Sequence, residues 1–182
     1  VVRAVLDLVL SGNRCSLRRR PADDLLSDGT TMGAVELLVK DLDGMIAYYS
    51  TGVTLDVLQH SGDAAMLGHD GRVVVRLRRV TDLPSWRPNQ AGLFHTAFLL
   101  PRRADLAAWV AHAATGQAPV GGASDHLVSE ALYLSDPEGN GIEIYADRPA
   151  AGWRWRGGGC VLSTSGAFKL NRTRHSFFGC FV

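Results

Sequence analysis

No stretch of this chain approaches the roughly 18 apolar residues that a membrane helix needs, although 46% of its 182 residues are hydrophobic. Val1 to Leu10 has the apolar density of a signal core. Arg3 and Asp7 interrupt it, and no clean small-residue cleavage site follows, so the reading is a cytoplasmic protein with no membrane partner. Cysteine is scarce. Cys15, Cys160 and Cys180 make an odd number without a C-x-x-C spacing, which leaves no basis for a disulfide framework or a thiolate zinc site. Acidic residues are missing from 150–182, where five basic residues stand alone, whereas residues 32–149 hold nine Lys and Arg against fourteen Asp and Glu. An acidic body with a basic tail lacks the basic stripe that a nucleic-acid binder carries on its folded face, so nucleic acid is not expected as a partner.

What is present is a pattern that begins late, repeats once and stops. Residues 1–31, with Arg18-Arg19-Arg20-Pro21 followed by Ala22-Asp23-Asp24, show no period and read as a solvated, poorly ordered leader. From Met32 a strand over 33–39 leads to Asp41, which caps a helix carrying Leu42, Met45, Ile46 and Tyr49 on one face and ended by Gly52. Strands follow over 54–59, 64–67 and 72–80, with turns at Gly62-Asp63 and His69-Asp70-Gly71. After a linker over 81–91, marked by Pro84 and Pro88, the order returns. A strand over 93–100 precedes a helix over 102–114 with Leu106, Trp109, Val110 and Ala113 on one face, and strands over 120–124, 129–134 and 141–145 complete the unit. The expectation is an α+β fold of two βαβββ modules, 32–80 and 92–149, pairing into a cupped, incomplete barrel with a pocket between them. The tail over 150–182 shows no element of convincing length and reads as an irregular, non-native basic extension of the kind a reading-frame error would produce.

Two polar residues sit in the middle of strand-like runs: His95 in Leu93-Phe94-His95-Thr96-Ala97-Phe98, and Glu143 in Gly141-Ile142-Glu143-Ile144-Tyr145. A strand that turns an imidazole or a carboxylate inward must pair it, hydrate it or bind it to a metal, because burial without a partner costs several kcal/mol. Glu36 is a third candidate, although a one-residue shift of register would put it on the solvent face. His126 reads either as an exposed loop residue or as an acid/base beside the pocket. Tyr133 reads as a core aromatic or as a hydrogen-bond donor to a bound oxygen. Tyr145 reads as packing, and His60, His69, His112 and His175 as surface residues. Asp136-Pro137-Glu138-Gly139-Asn140-Gly141 reads as turn chemistry.

Three segments carry a family likeness. Val35 to Leu42 with Tyr48-Tyr49, the run Leu93 to Phe98, and above all the unbroken stretch Asp125 to Tyr145 resemble the vicinal oxygen chelate superfamily. Its members include glyoxalase I, extradiol ring-cleaving dioxygenases, fosfomycin- and bleomycin-resistance proteins and methylmalonyl-CoA epimerase. The chain is most similar to the catechol-2,3-dioxygenase-like branch, whose full-length members carry two such domains, and the likeness covers 32–149. It implies metal ligands on the first and last strands of the modules, here Glu36, His95 and Glu143, with Glu36 where a His is usual. The run Val73 to Val80 has no acid, so the four-ligand glyoxalase set lacks one carboxylate. Two carboxylates and one imidazole favour hard divalent ions, Fe(II) or Mn(II).

The resemblance therefore implies a metal-dependent extradiol dioxygenase-like enzyme acting on a catecholic or other vicinal-oxygen small molecule, with His126 and Tyr133 as catalytic groups and a homodimer as the assembly. A glyoxalase-type lyase or isomerase and a non-catalytic drug-binding protein of the same fold are the alternatives. Truncation at about residue 150 is expected to leave the thermal midpoint near that of the full chain; a large loss of stability would make the tail part of the fold.

Overall fold

The structure, a computed structural model, describes residues 3–6, 31–84, 93–156, 160, 161, 166 and 167. The expected duplication is present in the strand order. Module one runs β2 (Val35–Val39), α1 (Leu42–Ala47) with a wider π-type turn over Tyr48–Gly52, then β3 (Asp56–Ser61), β4 (Ala64–His69) and β5 (Arg72–Arg79). Module two runs β6 (His95–Leu100), α2 (Arg103–His112) with a similar turn over Ala113–Gln117, then β7 (Gly122–Asp125), β8 (Ser129–Ser135) and β9 (Gly141–Asp147). The first sheet has the order β2-β5-β4-β3, and the second contains the matching order β6-β9-β8-β7. In each, the first strand lies parallel to the last and the other pairs are antiparallel. The fold is α+β, and the described strands form no closed barrel.

Three additions lie outside the repeat. β1 (Arg3–Leu6), within the stretch expected as a leader, pairs antiparallel with the outer edge of β6. β10 (Trp155–Arg156) pairs with β11 (Cys160–Val161), and β12 (Gly166–Ala167) extends the second sheet beyond β7. Residues 85–92, which include most of the linker, and most of the leader and tail lie outside the described residues. Among those described, no helix is long and apolar enough to cross a membrane.

The alternation of side chains along each strand decides where the core lies. In β2, Leu37 and Val39 are buried while Glu36 and Leu38 are exposed. Leu67, Val75 and Leu77 complete the buried face, which α1 covers with Leu42 and Met45 and the turn after it with Tyr49. In module two, Phe98, Leu132, Leu134, Ile142 and Ile144 meet Leu106 and Trp109 of α2. These residues form one continuous cluster, so the helix-bearing sides of both modules share a core.

Polar contacts lock that junction. Asp136 opens the β8–β9 turn, and its carboxylate accepts from Glu138 N, Asn140 N and Asn140 Nδ2. It also accepts from the Tyr49 hydroxyl of the other module at 3.3 Å. Glu138 Oε1 accepts from Lys40 N at 2.7 Å and Asp41 N at 2.8 Å, just ahead of α1, while Asp41 itself caps Gly44 N. His112, expected as a surface residue, is half-buried with Nε2 2.6 Å from the Thr51 carbonyl oxygen. Gly52 is needed here, since a Cβ would come within 2.9 Å of the Gln117 carbonyl.

Burial pushes the Asp136 carboxyl above its ordinary range despite the bonds it accepts. Burial, and then the neighbouring Asp136, likewise raise the Tyr49 hydroxyl. Glu138→Ala is expected to cost about 1 kcal/mol in urea unfolding, the usual worth of a helix-start acceptor. The raised carboxyl means the folded state holds the Asp136 proton more tightly than the unfolded chain. Its contribution is complete below the ordinary carboxylate pKa and is lost as pH rises through the raised value. Wild-type stability should therefore decline relative to Asp136→Asn on raising the pH from about 4; a pH-independent difference between the two would contradict this.

Candidate functional site

The parallel register of β6 and β9 sets Ala97 opposite Glu143 and His95 opposite Gly141. The antiparallel register of β8 and β9 sets Tyr133 opposite Glu143. His95, Glu143 and Tyr133 therefore share the face turned away from α2. His95 and Glu143 are each 6% exposed, and His95 Nε2 lies 2.9 Å from Glu143 Oε2. The Tyr133 hydroxyl donates to Glu143 Oε1 at 3.1 Å, and its oxygen stands 2.8 Å from His126 Nε2. His126 Nε2 is 3.9 Å from the same Glu143 oxygen. Four residues thus make one connected cluster: His126, Tyr133, Glu143, His95.

Local backbone chemistry aims these groups. Gly141 begins β9 beside His95, and a Cβ there would overlap the Phe94 carbonyl oxygen and press on the His95 side chain. The His95 ring neighbours those of Phe94 and Tyr133, with centroids 4.9 and 6.0 Å away. His126 sits in a tight loop. Asp125 Oδ1 accepts from Leu127 N at 2.7 Å, and His126 N donates to the Ser129 carbonyl at 2.9 Å. Leu127 takes φ 67°, a left-handed conformation unusual for a branched side chain. Arg148 then ties the loop down, bonding the Asp125 carboxylate at 2.7 Å through Nη2 and the Val128 carbonyl through its own N–H. The hydrophobic pattern gave no notice of Asp125 or Arg148 as supports. The one signal is an Asp two residues before the amide it bonds, the spacing of an Asx turn.

Glu36 is not brought to this cluster. It is exposed on β2, on the face opposite Leu37 and Val39, and accepts from Arg78 Nε at 3.0 Å. Two donors bound side by side to one divalent ion at about 2.1 Å lie roughly 3 Å apart, and the 2.9 Å between His95 Nε2 and Glu143 Oε2 has that spacing. The pair fits two positions on such an ion. Among the described residues, however, no group of three or more His, Cys, Asp or Glu is placed to hold one.

Comparison with known proteins identifies the family. The family model of the Glyoxalase/Bleomycin resistance protein/Dioxygenase superfamily matches residues 31–144, and the chain belongs to that superfamily. It is 36% identical over 143 residues, 77% of its length, to a catechol-2,3-dioxygenase of Bacillus subtilis (strain 168). It spans about half of that curated relative, 50%. A glyoxylase/bleomycin resistance protein/dioxygenase domain from Frankia sp. EAN1pec shares the fold at TM-score 0.56 and 19% identity, over 66% of this chain and 94% of that one. A lactoylglutathione lyase from Agrobacterium tumefaciens does so at TM-score 0.51 and 20% identity, over 66% and 96%.

Removing one partner of a buried polar pair leaves the other without compensation, at a typical cost of about 1–3 kcal/mol. His95→Ala is expected to lose stability of that order in denaturant unfolding. The double variant with Glu143→Ala should lose less than the sum of the single losses; strict additivity would show the two side chains to be energetically independent.

Proposed function

We propose that this chain is a metal-dependent, extradiol ring-cleaving dioxygenase-like protein, acting on a catecholic or other vicinal-oxygen small molecule. The observation that carries the reading is the connected cluster of His126, Tyr133, Glu143 and His95 in a chain 36% identical to a catechol-2,3-dioxygenase. His95 and Glu143 are the proposed ligands of Fe(II) or Mn(II). Glu36, the third expected ligand, is paired with Arg78 instead. A divalent ion held there would offer open positions to two adjacent substrate oxygens and to dioxygen.

The chain's own residues supply orientation and proton transfer. Tyr133 donates its O–H to Glu143, and its oxygen is then the acceptor for His126 Nε2–H, so the hydrogen bonds run in one direction. Imidazole gains and loses a proton near neutral pH. In this direction a proton passes from His126 Nε2 through the Tyr133 hydroxyl to Glu143 and on to a product oxygen there; taking one from a substrate hydroxyl runs the relay in reverse, with Tyr133 turning its O–H to an unprotonated Nε2. The buried setting of Glu143 keeps that carboxylate directed at His95 and Tyr133 rather than at water. We place the protein in the cytoplasm, as a homodimer.

A second reading, a non-catalytic small-molecule-binding protein of the same fold, draws on the pairing of Glu36 with Arg78, which takes one expected ligand out of the set. Anaerobic loading with Fe(II), metal analysis and then catechol turnover separate the two. Bound metal and a yellow ring-cleavage product, both lost in His95→Ala, are expected. A protein that binds no metal, and whose affinity for catechol is unchanged in Glu143→Gln, would rule out the metalloenzyme.

A further inference from the structure

On the other side of the second sheet lies a cavity of about 480 Å³, lined by Arg103, Leu127, Glu130, Arg148, Pro149 and Arg154 among others. Glu130 pairs with Ala146 across β8 and β9 and shares its face with Leu132 and Leu134 of the core, so this cavity does not open on the His95 face. Its volume falls within the range of pockets that hold small organic ligands.

The charge in the cavity is unbalanced. Three guanidinium groups line it against one carboxylate, Glu130, whose side chain is 4% exposed. Glu130 accepts from Arg103 Nε at 2.6 Å and from Arg148 Nη2 at 2.9 Å. Arg148 Nη2 also reaches Asp125, and counting that acid still leaves a positive excess. Arg154 is exposed and takes part in no ion pair among the described residues. Its neighbours fix the chain at this point, since Gly152 N and Trp153 N close a turn on Pro149 and Ala150, and the Trp153 indole N–H donates to the Arg148 carbonyl at 2.9 Å. A guanidinium fork matches the two oxygens of a carboxylate, while Leu127 and Pro149 offer apolar wall. An inorganic anion would leave that wall wet.

We propose that this cavity is a binding site for a small organic carboxylate, its anionic end on Arg154 and Arg148 and its apolar body against Leu127 and Pro149. Benzoate is the probe, titrated into the metal-free protein by calorimetry and by tryptophan fluorescence, for which Trp153 is an adjacent reporter. Saturable binding is expected, weakened about tenfold in Arg154→Ala, the usual loss for one charge-assisted contact, and further in Arg154→Glu. Arg154→Lys should recover part of the affinity. Catechol should not displace benzoate, which separates this site from the cluster on the opposite face and makes the outcome independent of catechol turnover. Benzyl alcohol, neutral and of the same size, should not compete. Absence of binding, affinity unchanged in Arg154→Ala, displacement of benzoate by catechol, or inorganic phosphate binding as tightly as benzoate would each overturn the assignment.

Discussion

Two carboxylates on one turn hold the halves of this protein together. Asp136 and Glu138 stand at the start of the β8–β9 turn, and between them they satisfy backbone N–H groups of their own loop, two amides ahead of α1 and the Tyr49 hydroxyl. A buried acid is costly unless donors surround it, and here those donors come from both modules. The same turn starts the strand that carries Glu143. The contact that joins the modules therefore also sets where the inner carboxylate lies.

The second sheet has two faces with different duties. Phe98, Ile142 and Ile144 point to the helix side and merge with the core of module one. One residue away along those strands, Ala97 and Glu143 form the other face with Tyr133 of the neighbouring β8. Because the side-chain period in a strand is two, neighbouring residues divide cleanly between packing and polar chemistry. The loop that presents His126 follows another logic. Its conformation rests on bonds between side chain and backbone rather than on hydrophobic contact, and Leu127 accepts a left-handed backbone to complete it.

Much of this was legible in the sequence. Periods of 3.6 and 2 located both helices and all eight strands of the repeat to within a few residues, and Asp41 caps α1 as its position implies. His95 and Glu143 stood out because polar groups in apolar strands need partners, and each is the other's neighbour. Glu36 was harder. Its strand alternates regularly, but periodicity does not tell which of two faces meets the rest of the site, nor that Arg78, 42 residues away, lies within reach on the paired strand β5. Asp136 and Glu138 looked like turn formers because their long-range partners, 87 to 98 residues distant, leave no local trace. The strand pairing of Arg3–Leu6 with β6 is equally non-local, since the four residues have no period long enough to read.

The placement of the core on the helix side has an evolutionary consequence. Residues that would meet a small molecule on the opposite face contribute little to the shared apolar cluster, so most can be exchanged without dismantling it. Selection can then explore new ligands on one face while the other preserves the fold. The limits to that freedom are Gly141, where any side chain meets the Phe94 carbonyl, and the His95–Glu143 pair, whose members tolerate change best when they change together.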